Sequence, residues 1–116
     1  MSNFSVTFST SGSNQILALN GELDAHTAPE FEAAIQQCID NKNHALVVDG
    51  ANLEYISSAG LGVFMAYIEE IREHEGDIKI AALRDRVYNV FDLLGFPVLF
   101  EIFGTVDEAV VAFKKA

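Results

Sequence analysis

Ala45-Leu46-Val47-Val48 is a continuous apolar run with no polar residue between its members. A strand with one wet face alternates apolar and polar side chains, whereas this run offers nothing to water on either face. It reads as a central strand of a parallel sheet, covered above and below. The sequence around it must then supply helices, and both flanks do.

Upstream, Phe31, Ala34, Ile35, Cys38 and Ile39 fall at i, i+3, i+4, i+7 and i+8, one apolar stripe of a helix. Thr27-Ala28-Pro29-Glu30 has the spacing of a capping box, with proline in the first turn where its missing N–H costs nothing. Downstream, a loop is expected over Asp49 to Ile56, followed by a helix whose Leu61, Phe64, Met65, Ile68 and Ile71 share a face. Gly76 stands where a left-handed cap would end it.

Farther out, Phe4, Val6 and Phe8 alternate with polar residues, Ser11-Gly12-Ser13-Asn14 reads as a turn, and Ile16 to Leu19 as a second strand, so the two are expected to pair as a hairpin. Ile78 to Leu83 is the next strand. Val87, Val90, Phe91 and Leu94 form a helical stripe ended by Gly95 and Pro97, and Leu99 to Phe103 reads as a last strand. Thr105-Val106-Asp107-Glu108 repeats the capping-box spacing, ahead of a final stripe of Val106, Ala109, Val110 and Phe113. Strands alternating with helices predict an α/β fold: a single-layer mixed β-sheet packed by about four helices.

The 116 residues suit one domain, expected to span 1–116. Seven lysines and arginines stand against 17 acids, a formal charge of −10, which excludes the basic face that nucleic acid requires. The longest apolar candidate for a membrane span, Leu61 to Ile68, holds a glycine and falls far short of the roughly 18 residues needed, so no membrane contact is expected. The start carries neither a basic segment nor an apolar stretch with a cleavage site, and Cys38 has no disulfide partner within the chain. A cytoplasmic protein is the expectation, and mutual repulsion of acidic surfaces favours a monomer.

His26, His44 and His74 are far apart in sequence and lack ligand spacing, so no metal is expected. Gly60-Leu61-Gly62 opens a helix, yet Met65 stands at the third glycine of a dinucleotide fingerprint and no phosphate loop exists, so no cofactor is expected. Tyr55-Ile56-Ser57-Ser58-Ala59-Gly60 lacks the first glycine of an esterase elbow, and no base can be assigned to a serine. The chain does not read as an enzyme.

Ser58 suits the N-cap of the second helix, where its hydroxyl would accept a backbone N–H for about 1 kcal/mol. Gly60 and Gly62 are odd there, since each costs up to about 1 kcal/mol relative to alanine in a helix. They leave the helix start bare, with N–H groups open to an anion. A phosphate on Ser58 would add about −1.5 to −2 charges at the positive helix end without unfolding it. Cap and switch both remain open on these residues, as does a small-ligand or nucleotide sensor using the same N–H groups.

Asn20-Gly21-Glu22-Leu23-Asp24-Ala25-His26-Thr27, followed by Ile56-Ser57-Ser58-Ala59-Gly60-Leu61-Gly62-Val63-Phe64, resembles the bacterial anti-sigma factor antagonists, the stand-alone STAS domains. The resemblance runs through most of the chain, including Val87 to Gly95. It implies partner switching: the unphosphorylated antagonist binds an anti-sigma factor that is itself a serine kinase, phosphorylation releases it, and a metal-dependent serine phosphatase restores it. By motif position Ser58 matches the phosphorylated serine, with Ser57 as second choice. Asp24 matches the acidic residue beside it, and Gly60, Leu61 and Gly62 match the helix start that the partner covers. Ser57 departs from the aspartate common there. On the residues alone, Asp24 reads equally as an Asx turn leading into the first helix.

Overall fold

In the computed structural model, which describes residues 3–115, one sheet holds β1 (Phe4–Ser11), β2 (Asn14–Leu23), β3 (Ala45–Ile56), β4 (Asp77–Ala81) and β5 (Ile102–Phe103), side by side in chain order. β1 and β2 are the antiparallel hairpin expected, and the pairs β2–β3, β3–β4 and β4–β5 are parallel. Among the described residues four helices connect them, α1 (Ala28–Asp40), α2 (Ser58–Glu73), α3 (Asp85–Leu93) and a single turn α4 (Phe96–Leu99), and a fifth, α5 (Val106–Lys114), follows the last strand. The fold is the mixed single sheet predicted, with one helical turn more.

β3 is covered on both sides. Leu46 and Val48 belong to a core shared with α1, α2, α3 and α4, while Val47 on the opposite face packs with Ala109 and Val110 of α5. Each such side chain taken fully from water contributes about 1.5–3 kcal/mol. Phe64 of α2 is the hub of the larger core, with ring centroids 5.1 Å from Phe31, 5.7 Å from Phe91, 6.1 Å from Phe96 and 5.8 Å from Phe100, all edge-on.

On the α5 face, Lys79 of β4 is buried yet charged. Its ammonium bonds Asp77 at 3.2 Å and Glu101, and lies 4.7 Å above the Phe113 ring. Burial pulls its pKa down, but the hydrogen bonds to Glu101 and Asp77 together outweigh that and hold it above the ordinary lysine value. The pair thus ties the start of β4 to the strand edge and to α5.

Several local expectations are corrected. Residues 49–56 form no loop; β3 continues to Ile56, and because β4 pairs only with Ala45 to Asp49, the second half of β3 overruns its neighbour. The fourth strand stops at Ala81, two residues early. Most of the expected strand Leu99 to Phe103 is not strand: Gly95 at φ 78° turns the chain and Pro97 starts a helical turn, leaving only Ile102 and Phe103 paired. Met65 and Leu94 leave their stripes for solvent, at 46% and 58% exposure, Leu94 because α3 ends at Leu93 and leaves it as the C-cap. At the end of α2 the left-handed residue is Glu75, φ 62°, not Gly76. Gly76 is small for another reason: a Cβ there would stand 2.0 Å from the His44 carbonyl oxygen.

Candidate functional site

The overrun of β3 builds the site. Leu23 and Ile56 are register partners at the ends of β2 and β3, so the residues that follow them, Asp24 and Ser57, emerge side by side. The Ser57 N–H donates to the Leu23 carbonyl at 2.9 Å, clamping the start of α2 to the loop that carries Asp24. β2 reaches this point bent: Gly21 has φ 99°, and a Cβ on it would lie 1.6 Å from the Asn3 carbonyl oxygen.

Asp24 closes an Asx turn. Its Oδ1 accepts from the backbone N–H of His26 at 2.9 Å and of Thr27 at 3.1 Å. The Thr27 N–H bond leads the causes that hold its carboxyl below the ordinary value, with the His26 N–H and the Thr27 hydroxyl adding to it against a weaker effect of burial. This anchoring is therefore present above the unfolded pKa and is lost as pH falls through the lower folded value. Thr27 forms no capping box. Its hydroxyl is spent on the loop, donating to the Glu22 carbonyl at 2.8 Å and accepting from the Asp24 N–H at 2.9 Å. Thr105 does form the predicted box with Glu108.

The N-cap of α2 is Ser57, one residue before the one expected, and Ser58 is the first helical residue, with its side chain exposed. Ser57 caps nothing: its Oγ is buried with no hydrogen-bond partner among the described residues. The first bond of the helix is Leu61 N–H to the Ser57 carbonyl at 3.1 Å, so the N–H groups of Ser58, Ala59 and Gly60 have no partner within the helix and no capping side chain. No acid occupies the first turn. The result is a positive helix end with an exposed hydroxyl on it and a carboxylate beside it.

The two glycines differ. Gly62 is exposed and nothing lies within 4 Å of where its Cβ would be, so it leaves a smooth surface one turn from Ser58. Gly60 is buried, and a Cβ there would meet Leu23 at 2.8 Å and Ile56 at 2.9 Å; it lets α2 lie close to the sheet. Leu61, 3% exposed, is a core side chain. Of the six candidate partner-binding residues, the fold brings Asp24, Ser58 and Gly62 to one surface, with Ser57 between Asp24 and Ser58 but its Oγ buried, and turns Gly60 and Leu61 inward beneath it.

A neighbouring groove of about 550 Å³ is lined by Glu22, Glu54, Tyr55, Arg84, Arg86 and Val87. Glu22 and Tyr55 are register partners, and the Arg84 Nε donates to the Ala51 carbonyl at 3.0 Å, which anchors the start of α3 on the β3 overrun. Reading residues 49–56 as a loop hid this groove; the strand signal there is broken by Asp49, Asn52 and Glu54. The histidines are not all apart in space: His44 and His74 stack, centroids 4.3 Å apart. Among the described residues no group of three or more His, Cys, Asp or Glu could hold a metal, and no helix is long and apolar enough to cross a membrane.

This architecture, with the serine-bearing helix start at the end of the sheet, is that of a STAS domain, and the family model for the STAS domain matches residues 6–109. The chain belongs to the STAS domain family. Among its relatives, BtrV of Bordetella bronchiseptica, provisionally assigned as an anti-sigma factor antagonist, is 32% identical over 101 residues, 87% of either chain. An anti-sigma factor antagonist from Mycobacterium paratuberculosis shares the structure with a TM-score of 0.85 at 25% identity, over 94% of this chain and 92% of that one. The anti-sigma factor antagonist SpoIIAA, at 20% identity, shares the fold: its unphosphorylated form superposes with a TM-score of 0.80 over 97% of both chains, and its phosphorylated form with 0.70 over 95% and 98%.

Proposed function

We propose that the chain is a single STAS domain over residues 1–116 that acts as a cytoplasmic, monomeric anti-sigma factor antagonist by partner switching. Its function is binding, not turnover. The observation that carries the reading is Ser58: exposed, at an uncapped helix start, and following directly on Ser57, which emerges beside Asp24. The relatives' names support the role, and SpoIIAA has been solved in a phosphorylated form.

In this reading an anti-sigma factor serine kinase docks over Asp24, Ser57, Ser58 and Gly62, with Gly60 and Leu61 supporting that surface from beneath. The kinase phosphorylates Ser58, and a serine phosphatase removes the phosphate. The dianion sits where the free N–H groups and helix dipole tolerate it, so the fold survives. The docked complex does not, because like charge beside Asp24 is buried uncompensated; about 3 kcal/mol weakens binding roughly a hundredfold. Phosphopeptide mapping after incubation with the cognate kinase and ATP is expected to find Ser58. Ser58→Ala should bind the kinase as wild type and Ser58→Asp about a hundredfold more weakly; equal binding by the two variants would sink the charge mechanism.

The groove where Arg84 and Arg86 stand with Glu22 and Glu54 offers a second reading, a small-ligand or nucleotide sensor. Calorimetric titration with nucleoside triphosphates separates the two, since no heat up to high-micromolar ligand removes it.

A further inference from the structure

We propose that the opposite end of the molecule carries a second docking surface, which takes a basic amphipathic helix of a partner protein. The surface is the corner between α3 and α4. Gly95 in the left-handed region reverses the chain, and the two helical segments lie against each other through Phe91, Phe96 and Phe100, which point into the core. The outward positions are apolar as well: Leu93 is 84% exposed, Leu94 58%, Val98 88% and Leu99 44%. Four large aliphatic side chains exposed within seven residues are a concentration of the kind that marks an interaction site rather than scattered exposure.

The place of the patch is fixed by Arg72, near the end of α2, whose guanidinium donates to the Leu99 carbonyl at 2.6 Å. Residue 72 lies fourteen residues along the helix from Ser58, so roughly 20 Å separates the patch from the serine. A partner here would not touch the phosphorylation surface, and the proposal stands independently of the function proposed above.

Charge selects the occupant. Arg72 is held by Asp77 at 3.1 Å, whereas Glu69, Glu73, Glu75 and Asp92 are exposed and form no ion pair among the described residues. Carboxylates at the negative end of α2 run against its dipole, and Arg72, the basic residue of its last turn, is engaged by Asp77. An apolar strip beside uncompensated carboxylates complements a helix with leucines on one face and lysines or arginines flanking them. A second copy of this chain would bring like charges together.

Fluorescence anisotropy with a labelled 14-residue helical peptide of leucine and lysine, leucines on one face, tests this, with the same peptide carrying glutamate for lysine as comparison. The wild type should bind the basic peptide and not the acidic one. The double variant Leu93→Asn and Val98→Asn, which removes apolar surface without altering charge, should weaken binding at least tenfold while its urea unfolding stays as in wild type. Ser58→Asp should bind the peptide unchanged. Equal binding by the double variant would reduce the contact to non-specific charge and overturn the proposal, as would equal binding of both peptides or a loss with Ser58→Asp. A concentration-dependent dimer in sedimentation, abolished by the double variant, would overturn it in favour of a second copy.

Discussion

Cys38 shows how a single residue's environment decides its chemistry. It lies on the buried stripe of α1, 3% exposed, and burial pushes its thiol up to about 11. The thiolate is the reactive form, so at neutral pH this cysteine is inert while the chain is folded. Iodoacetamide at pH 8 should alkylate it slowly in buffer and rapidly in denaturing urea, with mass spectrometry following the adduct; equal rates would contradict its burial. The stripe made this burial legible in the sequence. Asp24 was only half legible: its two candidate roles, turn former and contact residue, use the same carboxylate. Oδ1 is committed to the turn, while the parallel register sets the residue next to Ser57. Ser57 was misread by one position because serines at both 57 and 58 satisfy the same N-cap preference, and only the backbone angles distinguish them: Ser57 is extended at φ −102°, ψ 174°.

At the scale of elements, α2 carries two glycines that look alike in sequence and behave oppositely. Gly60→Ala forces a methyl into Leu23 and Ile56 and should cost about 1–3 kcal/mol by overpacking. Gly62→Ala meets nothing and should stabilise the helix by up to about 1 kcal/mol. Urea unfolding of the two variants should move the midpoint in opposite directions; a shared direction would mean that helix propensity, not contact with the sheet, governs both. The helical stripes were legible because a 3.6-residue period repeats over three or four turns. β3 beyond Asp49 was not, because its polar residues and its bulged pairing with β2 erase any period. α4 was equally hidden, being one turn whose apolar residues fit a strand as well as a helix.

For the whole molecule, the aromatic cluster around Phe64 joins α1, α2, α3 and α4 in one core. Phe64→Ala should cost about 3–5 kcal/mol, a large share of the roughly 5–15 kcal/mol that holds a domain together. The urea midpoint should fall with the slope unchanged, and a loss below 1 kcal/mol would mean that the neighbouring rings close the space. The charge of −10 acts at this scale too: it leaves a carboxylate beside the serine surface and a strip of uncompensated glutamates at the far end of α2. By itself the sequence determined the class of fold, the central strand, four of the five helices and the serine motif, since periodicity and local capping chemistry are properties of neighbours along the chain. Only the tertiary structure decided which residues meet: Asp24 beside Ser57, Gly60 against Leu23, Tyr55 with the arginines at the start of α3, and the apolar corner far from Ser58. Those contacts depend on sheet register, on how far one strand overruns the next, and on competition among side chains for one core volume, none of which is written in local order.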